Sequence, residues 1–190
     1  MTSPQSYPHT IDNDAGEWLT FERRVPSPGG DSVEGTARVL PGAGPPMHVH
    51  YLQDEGFTVV QGRLAYQLAD RPTAYACAGE SIVFRAGEPH RFWNAGDDDL
   101  LCTAFIKPAG NAEFFLAALF ASQKQNGGRR PGLFDIAFLC RRYRTEYRLL
   151  DIPKPVERLL FPLVVALGTA LGRYRKYADA PAPLAGTRSN

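Results

Sequence analysis

Two histidines separated by a single residue, His48-Val-His50, constrain this chain more than any other feature of its 190 residues. Side chains two apart on an extended segment project from one face, so both imidazoles point the same way. Tyr51 to Asp54 then supply a four-residue turn, and Glu55 returns on a neighbouring segment where its carboxylate can meet the rings. A fourth ligand has to come from elsewhere, and His90 is the candidate. Three imidazoles and one carboxylate, with no thiolate, suit Fe(II), Mn(II), Co(II), Ni(II), Cu(II) or Zn(II). Four protein ligands on an ion that prefers five or six leave one or two positions for a reacting molecule. Imidazoles bind metal only when neutral, so affinity is expected to collapse as pH falls through about 6.

The neighbouring apolar residues follow the period of a strand. Phe57 and Val59 share a parity with Glu55, and Phe92 shares one with His90, so all three are expected to line the cavity and keep it dry. Asn94, four residues beyond His90, has two readings: a hydrogen bond that supports the metal site, or a turn residue beside Ala95-Gly96. Cys102 lies on the last predicted strand with its register open; facing the cavity, it would be sensitive to oxidation.

From Glu17 to Lys107 the chain reads as short strands punctuated by turn residues: 17–25, 32–40, 47–52, 55–61, 63–69, 73–77, 81–85, 90–95 and 100–107. Closely spaced short strands of this kind indicate an antiparallel barrel or sandwich. Residues 1–16 have little to bury and are expected to be flexible, with His9 a solvated side chain.

Two stretches carry a resemblance to a known family. Gly42, His48, His50, Glu55 and Gly62 fill every fixed place of the first cupin motif, and Gly79, Gly87, His90 and Asn94 resemble the second. Sixteen residues, Arg63 to Ala78, separate the two, as in small single-domain bacterial-type cupins. Arg85 stands where that family usually has proline, a change in a turn rather than in a ligand. The resemblance covers roughly residues 30–108 and implies a jelly-roll barrel with a metal in its interior. It says less about the reaction, because cupins include dioxygenases, isomerases, epimerases, decarboxylases and non-catalytic binders.

Composition changes at Pro108. Residues 1–110 hold 14 acidic and 8 basic side chains, whereas residues 111–190 hold 6 acidic and 13 basic. Asn111 is placed to cap a helix with an apolar face through Phe115, Ala118 and Leu119, and Gly127-Gly128 ends it. A second helix is expected over 133–150, and a third from Pro153 to about Tyr177, kinked at Pro162. The expected division is therefore a flexible segment 1–16, a β-barrel 17–108, a helical extension 109–177 and a disordered tail 178–190. The fold class is mainly β: a cupin-type antiparallel jelly-roll barrel with an α-helical C-terminal appendage.

Leu159–Gly172 is the most apolar run, and at about 14 residues it falls short of the roughly 20 needed to span a bilayer. It is expected to pack on the barrel or on a second subunit. The alternative is a helix lying on a membrane surface, since Arg173-Tyr-Arg-Lys-Tyr177 follows directly. Nucleic acid is not an expected partner, because no stacking platform accompanies the arginines of 141–148. Cys77, Cys102 and Cys140 form no CxxC pair and read as free thiols of a reducing cytoplasm. The N-terminus shows no basic region followed by an apolar core, so no secretory signal is expected.

Together these features indicate a metal-dependent enzyme, expected to be a homodimer, acting on a small organic molecule. The motifs are similar to those of quercetinase-like dioxygenases, which implies oxygenation of an enol or phenol with Glu55 serving as both ligand and base. An oxygen-free isomerase or polyketide-tailoring cyclase, and a non-catalytic metal or ligand binder, are the alternatives.

Overall fold

The structure, a computed structural model, describes residues 6–185. In chain order its strands are β1 (His9–Asp12), β2 (Glu17–Val25), β3 (Ser32–Val39), β4 (His48–His50), β5 (Asp54–Gln61) and β6 (Arg63–Leu68). They continue with β7 (Ala74–Cys77), β8 (Ser81–Phe84), β9 (His90–Asn94), β10 (Leu100–Lys107) and β11 (Tyr147–Leu149). The helices are α1 (Ala112–Gln125), α2 (Leu133–Arg142) and α3 (Phe161–Ala170).

Two antiparallel sheets hold all the strands, in the orders β1-β2-β3-β10-β5-β8 and β11-β4-β9-β6-β7. No ladder joins one sheet to the other among the described residues, so a two-sheet sandwich stands where a closed barrel was expected. The chain crosses between sheets at tight turns instead. Gly62 is one: φ is +90°, and a Cβ there would press on the backbone of Asp99 and Leu100. The inner faces share a core of Val39, Val59, Leu64, Phe84, Leu100 and Cys102, each at most 2 % exposed.

The ends of the chain are more structured than their composition suggests. Residues 9–12, read as part of a flexible segment, form β1 and pair with β2 over four residues. His9, read as solvated, has its ring centre 4.9 Å from that of Phe21. At the other end, the tail expected to be disordered is docked as far as it is described. Asn111 donates to the Ala182 carbonyl at 2.9 Å, Arg142 to the Pro181 carbonyl at 2.9 Å, and Leu184 N–H to Glu146 at 2.9 Å. These bonds also explain why Asn111 begins α1 without capping it through its side chain. Residues 186–190 lie outside the described residues.

The helix expected over 133–150 stops at Arg142. Glu146 and Tyr147 then fold back onto the Tyr143 carbonyl, and Tyr147–Leu149 runs as β11 along β4, with Tyr147 opposite His50 and Leu149 opposite His48. Without β11 the backbone groups of the three-residue β4 would lie on a bare sheet edge. The extension is therefore stitched into the sheet that carries His48, His50 and His90. Further on, Val156–Leu160 is a π-helical turn, closed by Phe161 N–H on the Val156 carbonyl, immediately before Pro162. Proline has no N–H to give, and the wider turn absorbs the break expected there.

Candidate metal centre

β4, β5 and β9 deliver the expected side chains to one place. His48 on β4 lies directly opposite His90 on β9, and their ring centres are 4.4 Å apart. Glu55 enters from the facing sheet, with Oε2 at 2.9 Å from His90 Nε2 and 3.7 Å from His48 Nε2. One ligand atom from each of His48, Glu55 and His90 fits within 4.8 Å of the others. His50 stands beside this trio rather than in it, its ring centre 5.1 Å from that of His48 and 5.7 Å from that of His90.

The tautomers follow from the surroundings. His48 Nδ1 lies 2.9 Å from the Pro46 carbonyl, and His90 Nδ1 lies 2.8 Å from the Glu88 carbonyl. A carbonyl only accepts, so each Nδ1 carries the proton and each Nε2 turns toward Glu55. Two imidazole lone pairs aimed at one carboxylate repel unless a cation, proton or metal, lies between them. Backbone carbonyls that fix the tautomer in this way are the usual support of metal-binding histidines. Phe84, stacked on His90 at 4.0 Å and 8°, fixes that ring's plane.

Electrostatics sort the four residues. Burial would raise the Glu55 pKa, but His50, His48 and His90 around it hold the carboxyl well below its ordinary value. Burial pulls His48 down, yet the Glu55 carboxylate and the Pro46 carbonyl keep its pKa above that of an ordinary histidine. Burial takes His50 down to about 3, a shift that the Glu55 charge only partly opposes. His50 is thus neutral, and its buried Nδ1 has no hydrogen-bond partner. An orphaned neutral imidazole nitrogen beside two oriented histidines and an anion is a donor set that fits a divalent transition metal.

The remaining expected residues divide. Phe57 and Phe92 line a cavity of about 270 Å³ that also reaches His48, His50 and Glu55. Val59 belongs instead to the packed core between the sheets. Asn94 is the turn residue of its two readings: it donates to the Val39 and Asp98 carbonyls at 2.8 Å and accepts from Gly96 N–H at 2.8 Å. Cys102 sits in the core, where burial pushes its thiol up to about 12, so it is not a reactive thiol. Arg85 uses what proline lacks: its N–H donates to Glu88 at 2.8 Å, and its guanidinium pairs with Asp54 at 2.8 Å.

Two contributors are absent from the sequence reading. Glu17 on β2 is a buried carboxyl at the cavity wall, hydrogen-bonded by Asn13 at 2.7 Å, with its pKa raised by burial. Its signal was available, because Glu17 shares a parity with Leu19 and Phe21, an acid on the inward face of a strand. Helix α1 is the second, closing the cavity with Phe115, Leu116 and Leu119. Its first turn is fixed by Glu113, which binds Arg24 at 2.6 Å and Tyr7 at 2.6 Å.

Known proteins resemble parts of this chain. The family model described as Cupin domain matches residues 35–106. A probable oxidoreductase of Hypocrea virens, virH, is 26% identical over 106 residues, covering 52% of this chain and 48% of its own. The chain therefore spans about half the length of that curated relative. Among solved structures, CapF from Staphylococcus aureus, a capsular polysaccharide assembling protein, gives a TM-score of 0.48 at 20% identity, covering 59% of this chain and 31% of that one. KdgF from Halomonas sp. gives 0.47 at 19% identity, covering 55% and 92%. The cupin domain of Schizosaccharomyces pombe Cnp3 gives 0.41 at 15% identity, covering 50% and 67%.

Proposed function

Because residues 35–106 are a cupin domain, we propose that the chain is a metal-dependent oxidoreductase that oxygenates a small, largely apolar enol or phenol in a quercetinase-like manner. One observation carries this reading: ligand atoms of His48, Glu55 and His90 converge within 4.8 Å of one another, and His48 and Glu55 face an apolar cavity of about 270 Å³. The partial likeness to a probable oxidoreductase supports the redox direction. His48, His90 and Glu55 would hold the ion, with His50 beside them as the fourth ligand that the motif implies. When bound, a divalent transition metal supplies a Lewis acid and a site for electron exchange with oxygen.

The chain's own residues account for the rest. Phe57, Phe92 and Phe115 offer aromatic walls that suit a planar ring and exclude water. Proton transfer falls to Glu17 rather than Glu55. A carboxylate held well below its ordinary pKa is a poor base, whereas burial raises that of Glu17 above its ordinary value. Glu17 would take the hydroxyl proton of the entering enol or phenol, and Asn13 would keep donating to its oxygen.

Elemental analysis of anaerobically purified protein, followed by oxygen uptake with flavonols, diketones and phenols, tests the proposal. About one transition metal per chain and stoichiometric oxygen consumption are expected. Turnover without oxygen uptake would assign the site to an isomerase or cyclase. Metal and ligand binding without turnover would assign it to a binder.

A further inference from the structure

The segment after β11 buries one face and leaves the other bare. Phe161 and Val164 pack inward with Ala137, and Gly168 is buried beneath the Tyr174 ring. On the opposite side Leu159, Leu163, Leu167 and Leu171 follow one another at steps of four and are 71%, 68%, 54% and 57% exposed. Residues four apart lie on one face of a helix, so these leucines make a single stripe about 18 Å long. Of the two expected supports, the barrel and a second subunit, the inner face uses neither and packs on α2 instead. A helix apolar on both sides is normally enclosed, and a contiguous leucine surface in water marks something that binds it. No helix among the described residues is long and apolar enough to cross a membrane, so the stripe suits a surface and not a span.

Charge decides what covers it. Residues 154–176 contain five cations, Lys154, Arg158, Arg173, Arg175 and Lys176, all exposed, and one acid. That acid, Glu157, is taken by Arg148 at 3.0 Å. Lys176 is engaged by Asp135 at 2.8 Å, which leaves the cations at both ends of the stripe otherwise without a countercharge in these ion pairs. A second copy docked on the stripe about a two-fold axis would set this positive rim against itself, at an electrostatic cost.

We propose that the stripe is a peripheral membrane site: the leucines enter the boundary of a bilayer, and Arg158, Arg173 and Arg175 meet anionic lipid headgroups. The chain would lie on the surface by α3, with its helix axis in the plane of the interface. This reading does not depend on the metal centre, and its failure would leave the proposed reaction untouched.

Flotation with phosphatidylcholine vesicles, with and without phosphatidylglycerol, tests it. Binding is expected on the anionic vesicles, at least tenfold weaker on the neutral ones, and weakened by salt. R173S/R175S is expected to lower partition about 25-fold, at roughly fivefold for each cation. L163S/L167S is expected to abolish binding while circular dichroism and melting stay unchanged, because both side chains are exposed. Parental binding that survives L163S/L167S, or no binding to anionic vesicles, overturns the proposal. So does a dimer that ignores vesicles and is dissociated by the same two substitutions, since it gives the stripe to a second copy.

Discussion

The space between the sheets is filled at one end and hollow at the other, although the same strands wall both. Along β10 the inward positions are Leu100, Cys102, Ala104 and Ile106. At the first two levels the partners across the ladders are Val39, Ala37 and Val59, all at most 2 % exposed, and nothing remains unfilled. Two residues further, Ala104 pairs with Gly35 on one side and Phe57 on the other. There the small residues leave the cavity that His48 and Glu55 face. Gly35 admits no substitute, because a Cβ would collide with the Thr20 carbonyl of β2. Strand period aims every second residue inward at both ends. Side-chain volume alone decides whether that level is core or cavity, so stability and chemistry are separable along one strand.

The largest effect that would test this separation is at the centre. Glu55→Gln removes the only carboxylate of the trio and is expected to weaken metal binding more than a hundredfold, beyond the 10- to 100-fold typical of supporting residues. A competition titration with a chelator reads it. Next in size, Leu100→Ala at the filled end should cost about 2–5 kcal/mol. At roughly 2–4 °C per kcal/mol for a chain of this size, calorimetry resolves the loss easily. Its metal affinity is expected to match that of the parent. If Leu100→Ala weakens metal binding as much as Glu55→Gln does, the two ends are one cooperative unit and the separation is wrong.

How far the sequence reveals each end follows from the range of the interactions. The antiparallel strands, their limits within one or two residues over most of 17–107, and the meeting of His48, Glu55 and His90 are set by local period and motif spacing. All of these were legible. His50 was expected as an equal member; it stands beside the trio, with Tyr147 of β11 against its ring at 5.2 Å. That strand comes from nearly a hundred residues away, and its sequence, Tyr147-Arg-Leu149, carries too few residues to distinguish a strand from the end of a helix. Val59 was misplaced because parity gives direction and not depth. The lid formed by α1 and the docked tail depend on contacts between distant segments, which no local pattern encodes.

A smaller effect is expected from filling the hollow. Ala104→Leu puts a branched side chain into the level that Gly35 and Ala104 keep open. Overpacking costs about 1–3 kcal/mol where no space exists and less where a cavity receives the new atoms. Melting should therefore move by only a few degrees, with metal content kept, while substrate-dependent oxygen uptake disappears. A variant that turns over normally would show that the substrate binds elsewhere.

The smallest expected effect concerns Glu17, on the hollow side. Burial raises its folded pKa above the unfolded value near 4.5, so the native state holds its proton more tightly than the unfolded chain does. Below the unfolded value both states are protonated and no penalty exists. As pH rises through the window between the unfolded and the raised folded pKa, the unfolded chain ionises first and native stability falls; above the folded pKa the loss levels off. Glu17→Gln keeps an acceptor for Asn13 and removes the ionisation. In metal-free protein the variant is therefore expected to flatten this part of the stability–pH curve and to melt higher than the parent at neutral pH. Denaturant midpoints between pH 4 and pH 8 read the difference. A parent that gains stability relative to Glu17→Gln as pH rises across this window would mean that Glu17 is stabilised as an anion, which would remove the case for it as the acid–base residue of the cavity.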